Sequence, residues 1–214
     1  MKRILFYLTR YPGIGGIENV TSHIVGGLQA RYDCTILSHL HQDMPCNFPI
    51  VHFPEEAYDS PANREFFDKF LSEGNFDVVV YQDSYAPTEL LVTDGCQKHK
   101  VPLLVFEHNS PLFIANKRSL EPWYASVKSL MRRGLHPLLM RRERQRKRLL
   151  LDAAERYVLL SREFIKDFAR MVGVSANHPK LMAIHNPVST PPPCASIHQQ
   201  IKQLQGIALC RKVG

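Results

Sequence analysis

No apolar run in this 214-residue chain approaches the roughly 20 residues needed to span a bilayer, so a membrane-embedded protein is excluded. Lys2 and Arg3 are followed by only a short apolar stretch before Thr9, Arg10 and Pro12, shorter than the core of a secretion signal, and no export signal is expected. The five cysteines (Cys34, Cys46, Cys96, Cys194 and Cys210) are odd in number, scattered and never spaced C-x-x-C, which speaks against both a disulfide framework and a zinc site. The histidines do not fill that gap, because the closest pair, His39 and His41, has no cysteine or carboxylate company; no metal is expected. A reducing cytoplasm fits this cysteine usage. Hydrophobic residues at 44% against 22% charged exclude a disordered chain. What is present in excess is positive charge, a formal +7, which implies an anionic partner: nucleic acid, an acidic membrane surface or a phosphorylated ligand.

The chain is organised around residues 2–31. Ile4 to Leu8 form a continuous apolar run, as a parallel strand covered on both faces requires, and Pro12-Gly13-Ile14-Gly15-Gly16 breaks it. Ile17, Val20, Ile24, Val25 and Leu28 then mark one face of a helix. Further strands are predicted at 33–38, 50–53, 76–81, 101–106, 156–160 and 181–184. Between them lie helices at 61–73, stopped by Gly74, from Pro87 to about Lys100, and from Ser161 to Met171, ended by Gly173. The helical pattern from Glu121 to Ala154 contains Gly134 and Pro137, which predict a kink or two helices.

Such alternation predicts an α/β domain with a doubly wound parallel sheet over residues 1–188. Residues 189–214, with Ser189-Thr190-Pro191-Pro192-Pro193, read as a linker and a tail too poor in apolar surface to form a domain. Ligands of a doubly wound sheet bind beyond the carboxyl ends of its strands. The loops around Gly15, Asp83, His108, Ser161 and Asn186 are therefore expected to share one edge.

Gly13-Ile14-Gly15-Gly16-Ile17-Glu18 is not a dinucleotide fingerprint, because Glu18 stands where the third glycine should be and Ser38-His39, not an acidic residue, ends the second strand. Nor does Gly-Lys-Ser/Thr follow, so a Walker loop is excluded. The glycines serve either turn geometry alone or close approach of a phosphate to a helix N-terminus. His108 either satisfies loop carbonyls or hydrogen-bonds a ligand hydroxyl. Glu18 either complements the helix dipole or belongs to the site.

Taken together, Gly15-Gly16-Ile17-Glu18 opening the first helix, His108 after strand five, Ser161 after strand six and Ile184-His185-Asn186-Pro187-Val188 resemble the N-terminal, Rossmann-like domain of family 4 glycosyltransferases of the GT-B fold. The resemblance, over about residues 3–188, implies a retaining enzyme that moves a sugar from a nucleotide-sugar donor to a glycan or lipid-linked acceptor, in cell-surface polysaccharide or glycolipid synthesis. It implies no cofactor besides the donor substrate. By motif it places Gly15 and Gly16 against the donor diphosphate and His108 near the transferred sugar; Glu18 matches the acidic residue that follows the two glycines, and Glu18, Ser161 and Asn186 are counted with the donor-binding residues, Ser161 being foremost a helix cap and Asn186 at the hinge. The chain departs from the family in lacking the second Rossmann-like domain that supplies most donor contacts. It is therefore expected to be truncated and, alone, inactive; the alternative is a non-catalytic remnant.

The charge excess lies in Arg132, Arg133, Arg141, Arg142, Arg144, Arg146, Lys147 and Arg148, opposed within the stretch only by Glu143. An apolar stripe (Val127, Leu130, Met131, Leu135, Leu138, Leu139) runs beside it, with Trp123-Tyr124 upstream. These are the makings of an interfacial element, predicting peripheral attachment to the inner, anionic face of a membrane. The competing readings are an outer helix packed on the sheet and a basic interaction domain for nucleic acid. The last is less supported, since no aromatics interleave the cluster and no reading motif accompanies it.

Overall fold

The computed structural model describes residues 1–82, 87–112 and 127–186, with side chains from 135 onward in the last stretch. Asp83, Trp123, Tyr124, Pro187 and the expected linker and tail at 189–214 lie outside the described residues, as do the side chains of Val127, Leu130, Met131, Arg132 and Arg133.

Seven strands form one wholly parallel sheet: β1 (Arg3–Arg10), β2 (Asp33–Leu40), β3 (Ile50–His52), β4 (Val78–Tyr81), β5 (Leu103–Glu107), β6 (Arg156–Leu159) and β7 (Leu181–Ala183). Their order across the sheet is β3-β2-β1-β4-β5-β6-β7. The chain thus winds outward from β1 first in one direction and then in the other. Between β1 and β4 the connections diverge, which is where a sheet wound this way takes its ligands, at the carboxyl edge.

Alternation along β1 sorts its side chains to two cores. Leu5 and Tyr7 join Leu37, Val79, Tyr81, Leu103 and Val105 on one face, under helices α2 (Pro61–Gly74), α3 (Glu89–His99), α4 (Val127–Ala153) and α5 (Arg162–Val172). Ile4, Phe6 and Leu8 join Cys34, Ile36 and Val80 on the other, where α1 (Gly16–Leu28) brings Val25 into the core and Ile17, Ile24 and Leu28 against it. Tyr7, Phe67 and Phe168 are among the largest fully buried side chains, so the first core rests on aromatic area.

Several boundaries differ from the sequence reading for local reasons. Gly74 is the last residue of α2, and the left-handed turn falls on Asn75 (φ 49°). A side chain at Gly74 would strike the Phe76 ring, 2.1 Å from its added Cβ. Gly173 (φ 75°) does end α5 as expected. Helix α3 starts at Glu89 and not at Pro87, with Thr88 before it; the Thr88 hydroxyl lies 2.8 Å from the Tyr81 hydroxyl instead of capping the helix. β2 runs two residues further than expected, which takes His39 out of the loop and into the core. The expected break at Gly134 or Pro137 is absent as a change of element: α4 is one helix with Pro137 inside it. Proline forfeits one hydrogen bond there, and the helix continues through it to its buried end at Leu150 and Leu151.

Candidate active site

Because every strand is parallel, the loops following β1, β4, β5, β6 and β7 all emerge at the same edge. At the first of them Gly15 is the N-cap of α1, with extended backbone (φ 179°, ψ 171°) and no side chain to accept from the helix. The first amides of α1 have no intrahelical acceptor, and together with the helix dipole they favour an anion. The two glycines differ in what they spare. A Cβ at Gly15 would fall 2.1 Å from Glu18 Oε2, so the glycine makes room for a carboxylate folded back over the loop. A Cβ at Gly16 would meet nothing within 4 Å, so Gly16 faces open space. Glu18, three residues beyond the cap, lies where the acidic residue of a capping box lies.

His108 follows β5 directly. Its Nε2 lies 2.9 Å from Oε1 of Gln82, just past β4, and its Nδ1 lies 3.3 Å from Oδ1 of Asn186, past β7. Residues distant in sequence thus meet on one imidazole. Burial lowers the pKa of His108, the bond to Asn186 opposing it, so the ring is neutral at pH 7. A neutral imidazole suits hydrogen bonding to an uncharged hydroxyl.

Below His108 lies a buried ionic cluster. Glu107, 2% exposed, receives the Lys147 ammonium on Oε1 and a 2.6 Å hydrogen bond from the Tyr157 hydroxyl on Oε2. Lys147 also pairs with Glu143 at 3.3 Å, while Arg146 bridges Glu143 and Glu89, each at 3.3 Å. The cluster ties α4 to β5, β6 and α3. Burial, followed by the Glu107 carboxylate, holds the Tyr157 phenol well above its usual range, so it stays a donor.

This corrects part of the expected basic surface. Lys147 is buried and the Arg146 side chain only 12% exposed, because both turn inward to carboxylates; neither belongs to a membrane-facing patch. Arg141, Arg142, Arg144 and Arg148 are exposed, and so are Leu135, Leu138 and Leu139, at 50%, 54% and 40%. The Ser161 hydroxyl accepts from the Phe164 amide at 3.2 Å and caps α5. Gln82 was not among the residues expected at the site, although a polar residue closing the apolar run of β4 at this edge is a signal for one. Among the described residues no three His, Cys, Asp or Glu side chains converge as a metal ion requires.

Residues 14–190 match the model of Glycosyltransferase Family 4. Among solved structures, the chain is similar to the apo form of the lipopolysaccharide outer core galactosyltransferase WaaB, with a TM-score of 0.57 and 16% identity, over 89% of this chain and 49% of that one. It is similar to WaaG, a glycosyltransferase involved in lipopolysaccharide biosynthesis (TM-score 0.54, 15% identity, 94% and 51%). It is also similar to Anabaena Alr3699/HepE in complex with UDP (0.53, 13%, 94% and 50%). At these identities the likeness is one of fold, and the chain spans about half the length of these structures. No curated protein matches it at the same stringency.

Proposed function

The chain belongs to glycosyltransferase family 4, and we propose that it is the acceptor-side half of a retaining enzyme that transfers a sugar from a nucleotide-sugar donor to a hydroxyl of a glycan or lipid-linked glycan. The observation that carries this reading is His108, an imidazole held between Gln82 and Asn186 at the carboxyl edge of the sheet. In this reading His108 hydrogen-bonds the sugar being transferred. The amides opening α1 face the donor diphosphate across Gly16, where a side chain would occupy open space. Negative charge developing on the leaving diphosphate is met by fixed dipoles and needs no proton transfer from this half. Asn186 lies just past β7 and, in this reading, acts at the hinge to a second domain.

Most donor contacts belong to that second domain. In calorimetry with a panel of nucleotide sugars, the 214-residue chain is expected to bind weakly or undetectably and to show no transfer. Micromolar binding would place the donor site on this half and overturn the division of labour. In a protein carrying both halves, His108→Ala is expected to lower kcat/KM well beyond any loss of stability. Unchanged turnover would reduce His108 to a loop-stabilising residue.

A second reading, attachment to the inner face of an anionic membrane, is favoured by exposed Leu135, Leu138 and Leu139 beside exposed Arg141, Arg142, Arg144 and Arg148. Among the described residues no helix is long and apolar enough to cross a bilayer, so this contact would be interfacial. Each basic side chain near such a surface contributes about 1 kcal/mol, screened within a Debye length. Sedimentation with phosphatidylglycerol vesicles should therefore weaken steeply with salt and be lost in the Arg141→Gln/Arg142→Gln/Arg144→Gln/Arg148→Gln variant. Undiminished sedimentation of that variant would refute it.

A further inference from the structure

We propose that Gln82 is a positioning residue, which fixes His108 in the tautomer protonated at Nε2 and so leaves Nδ1 as the acceptor for a substrate hydroxyl. The proposal rests on the reading of His108 as the sugar-facing group and assigns the direction of its hydrogen bond.

Gln82 is anchored by its backbone before its side chain does anything. Its amide donates to the Tyr7 carbonyl at 3.0 Å, continuing the β1–β4 pairing one residue past the strand, and the residue is completely buried. Of its side-chain atoms, Oε1 lies 2.9 Å from His108 Nε2, whereas Nε2 has no hydrogen-bond partner among the described residues. An orphaned buried amide nitrogen costs stability, and a methionine of similar size would avoid that cost. Filling space therefore does not explain this residue type. What glutamine supplies and methionine lacks is an acceptor oxygen beside the imidazole.

His108 faces two amide oxygens in this arrangement, yet a neutral imidazole has one N–H to give. Only one of the two contacts can hold the proton. The Gln82 contact is shorter and belongs to a fully buried residue locked at the switch between β1 and β4. Asn186 is half-buried, 3.3 Å away, and stands past the last strand, where its amide can turn to present nitrogen to Nδ1. With the Gln82 oxygen turned to the ring, as found, the proton sits on Nε2. The lone pair on Nδ1 faces the Asn186 side, and a hydroxyl replacing that weaker contact would donate to it. Phe106, its ring stacked at 6.3 Å, offers no competing polar atom.

The test needs no substrate. Long-range ¹H–¹⁵N correlation spectra are recorded on the full chain labelled with ¹⁵N-histidine, the His108 signals being those lost in His108→Asn. The wild type should show the single pattern of an Nε2–H ring, and Gln82→Met should lose it, giving an averaged or Nδ1–H pattern. Gln82→Glu, which restores an acceptor oxygen, should recover the Nε2–H pattern. An Nδ1–H or averaged ring in the wild type overturns the proposal, and so does a Gln82→Met variant indistinguishable from wild type. Should Gln82→Met fail to fold, as judged by far-UV circular dichroism, the wild-type pattern and its persistence in Gln82→Glu still decide. A correct tautomer in a protein that never transfers sugar would overturn the functional reading and leave the role of Gln82 intact.

Discussion

Replacing Lys147 with methionine should destabilise the fold far more than removing any exposed arginine of the same helix. The Lys147 side chain is 4% exposed and that of Glu107 1%, so the substitution strands a carboxylate that, among the described residues, retains only the Tyr157 hydroxyl as a donor. Uncompensated burial of one member of such a pair costs about 3–5 kcal/mol. For a chain of this size each kcal/mol shifts the melting temperature by about 2–4 °C, so Tm should fall by roughly 6–20 °C. Circular dichroism melts and urea titrations read this directly. The companion variant Glu107→Gln/Lys147→Met removes both charges and leaves an oxygen for Tyr157, and it should recover most of the loss, because buried ion pairs gain little over neutral replacements. A fall under about 2 °C in the single variant would mean that water reaches Glu107 and that the cluster is not the buried staple described here. A double variant no better than the single would place the loss in the packing of the lysine stem.

Three further outcomes follow. His39 is buried, stacked on Phe53 at 4.0 Å and 2.6 Å from the Tyr7 hydroxyl, and burial lowers its pKa to about 4. A depressed folded-state pKa makes its stabilising contribution complete above the unfolded value of about 6.5. That contribution is lost as pH falls toward about 4, so urea titrations should show His39→Gln with a flatter loss of stability over this window; parallel curves would refute it. Gly95→Ala would ordinarily strengthen a helix by up to about 1 kcal/mol, but its added Cβ would lie 2.6 Å from Phe67 Cε1 and 3.2 Å from Leu71 Cδ1. It should instead cost about 1–3 kcal/mol, and a raised Tm would show that Phe67 gives way. The quadruple arginine-to-glutamine variant should melt within about 2 °C of wild type, since exposed charges seldom carry stability.

Fold and site were legible to different depths. The βα alternation predicts the parallel sheet, and Gly173 and Ser161 mark helix ends by chemistry that acts within four residues. His108 and Asn186 could be assigned to one edge from topology, because parallel strands deliver their carboxyl ends together. Gln82 is not legible in the same way, because its partner is 26 positions away and no periodicity reports a contact between two loops. The basic segment misled in a different way. Counting charge by sequence treats Arg141 to Arg148 as one surface, whereas a helix sends them in different directions. Glu143 and Lys147 share a stripe with Leu150, Leu151 and Ala154 at spacings of four, three, one and three, and that stripe is the buried one. A charge in register with the apolar face was the available signal that Lys147 had a partner inside.

That register gives α4 two distinct halves. From Glu143 onward the helix is fixed to β5, β6 and α3 by the cluster around Glu107, the residue immediately before His108. Before Glu143 it presents Leu135, Leu138 and Leu139 outward. At about 1.5 Å per residue, Leu139 and Lys147 are roughly 12 Å apart along the axis. A surface held by the leucines would therefore stand at a set distance from the imidazole, because a helix locked by buried ion pairs does not swing. For a lipid-linked acceptor this matters in a simple way, since the fixed position of the imidazole relative to that surface would decide whether the receiving hydroxyl reaches it. Loss of the Lys147–Glu107 contact would then weaken transfer to a lipid-linked acceptor more than transfer to a free glycan. That difference separates a helix that merely stabilises the domain from one that also fixes the position of the sheet edge relative to a membrane.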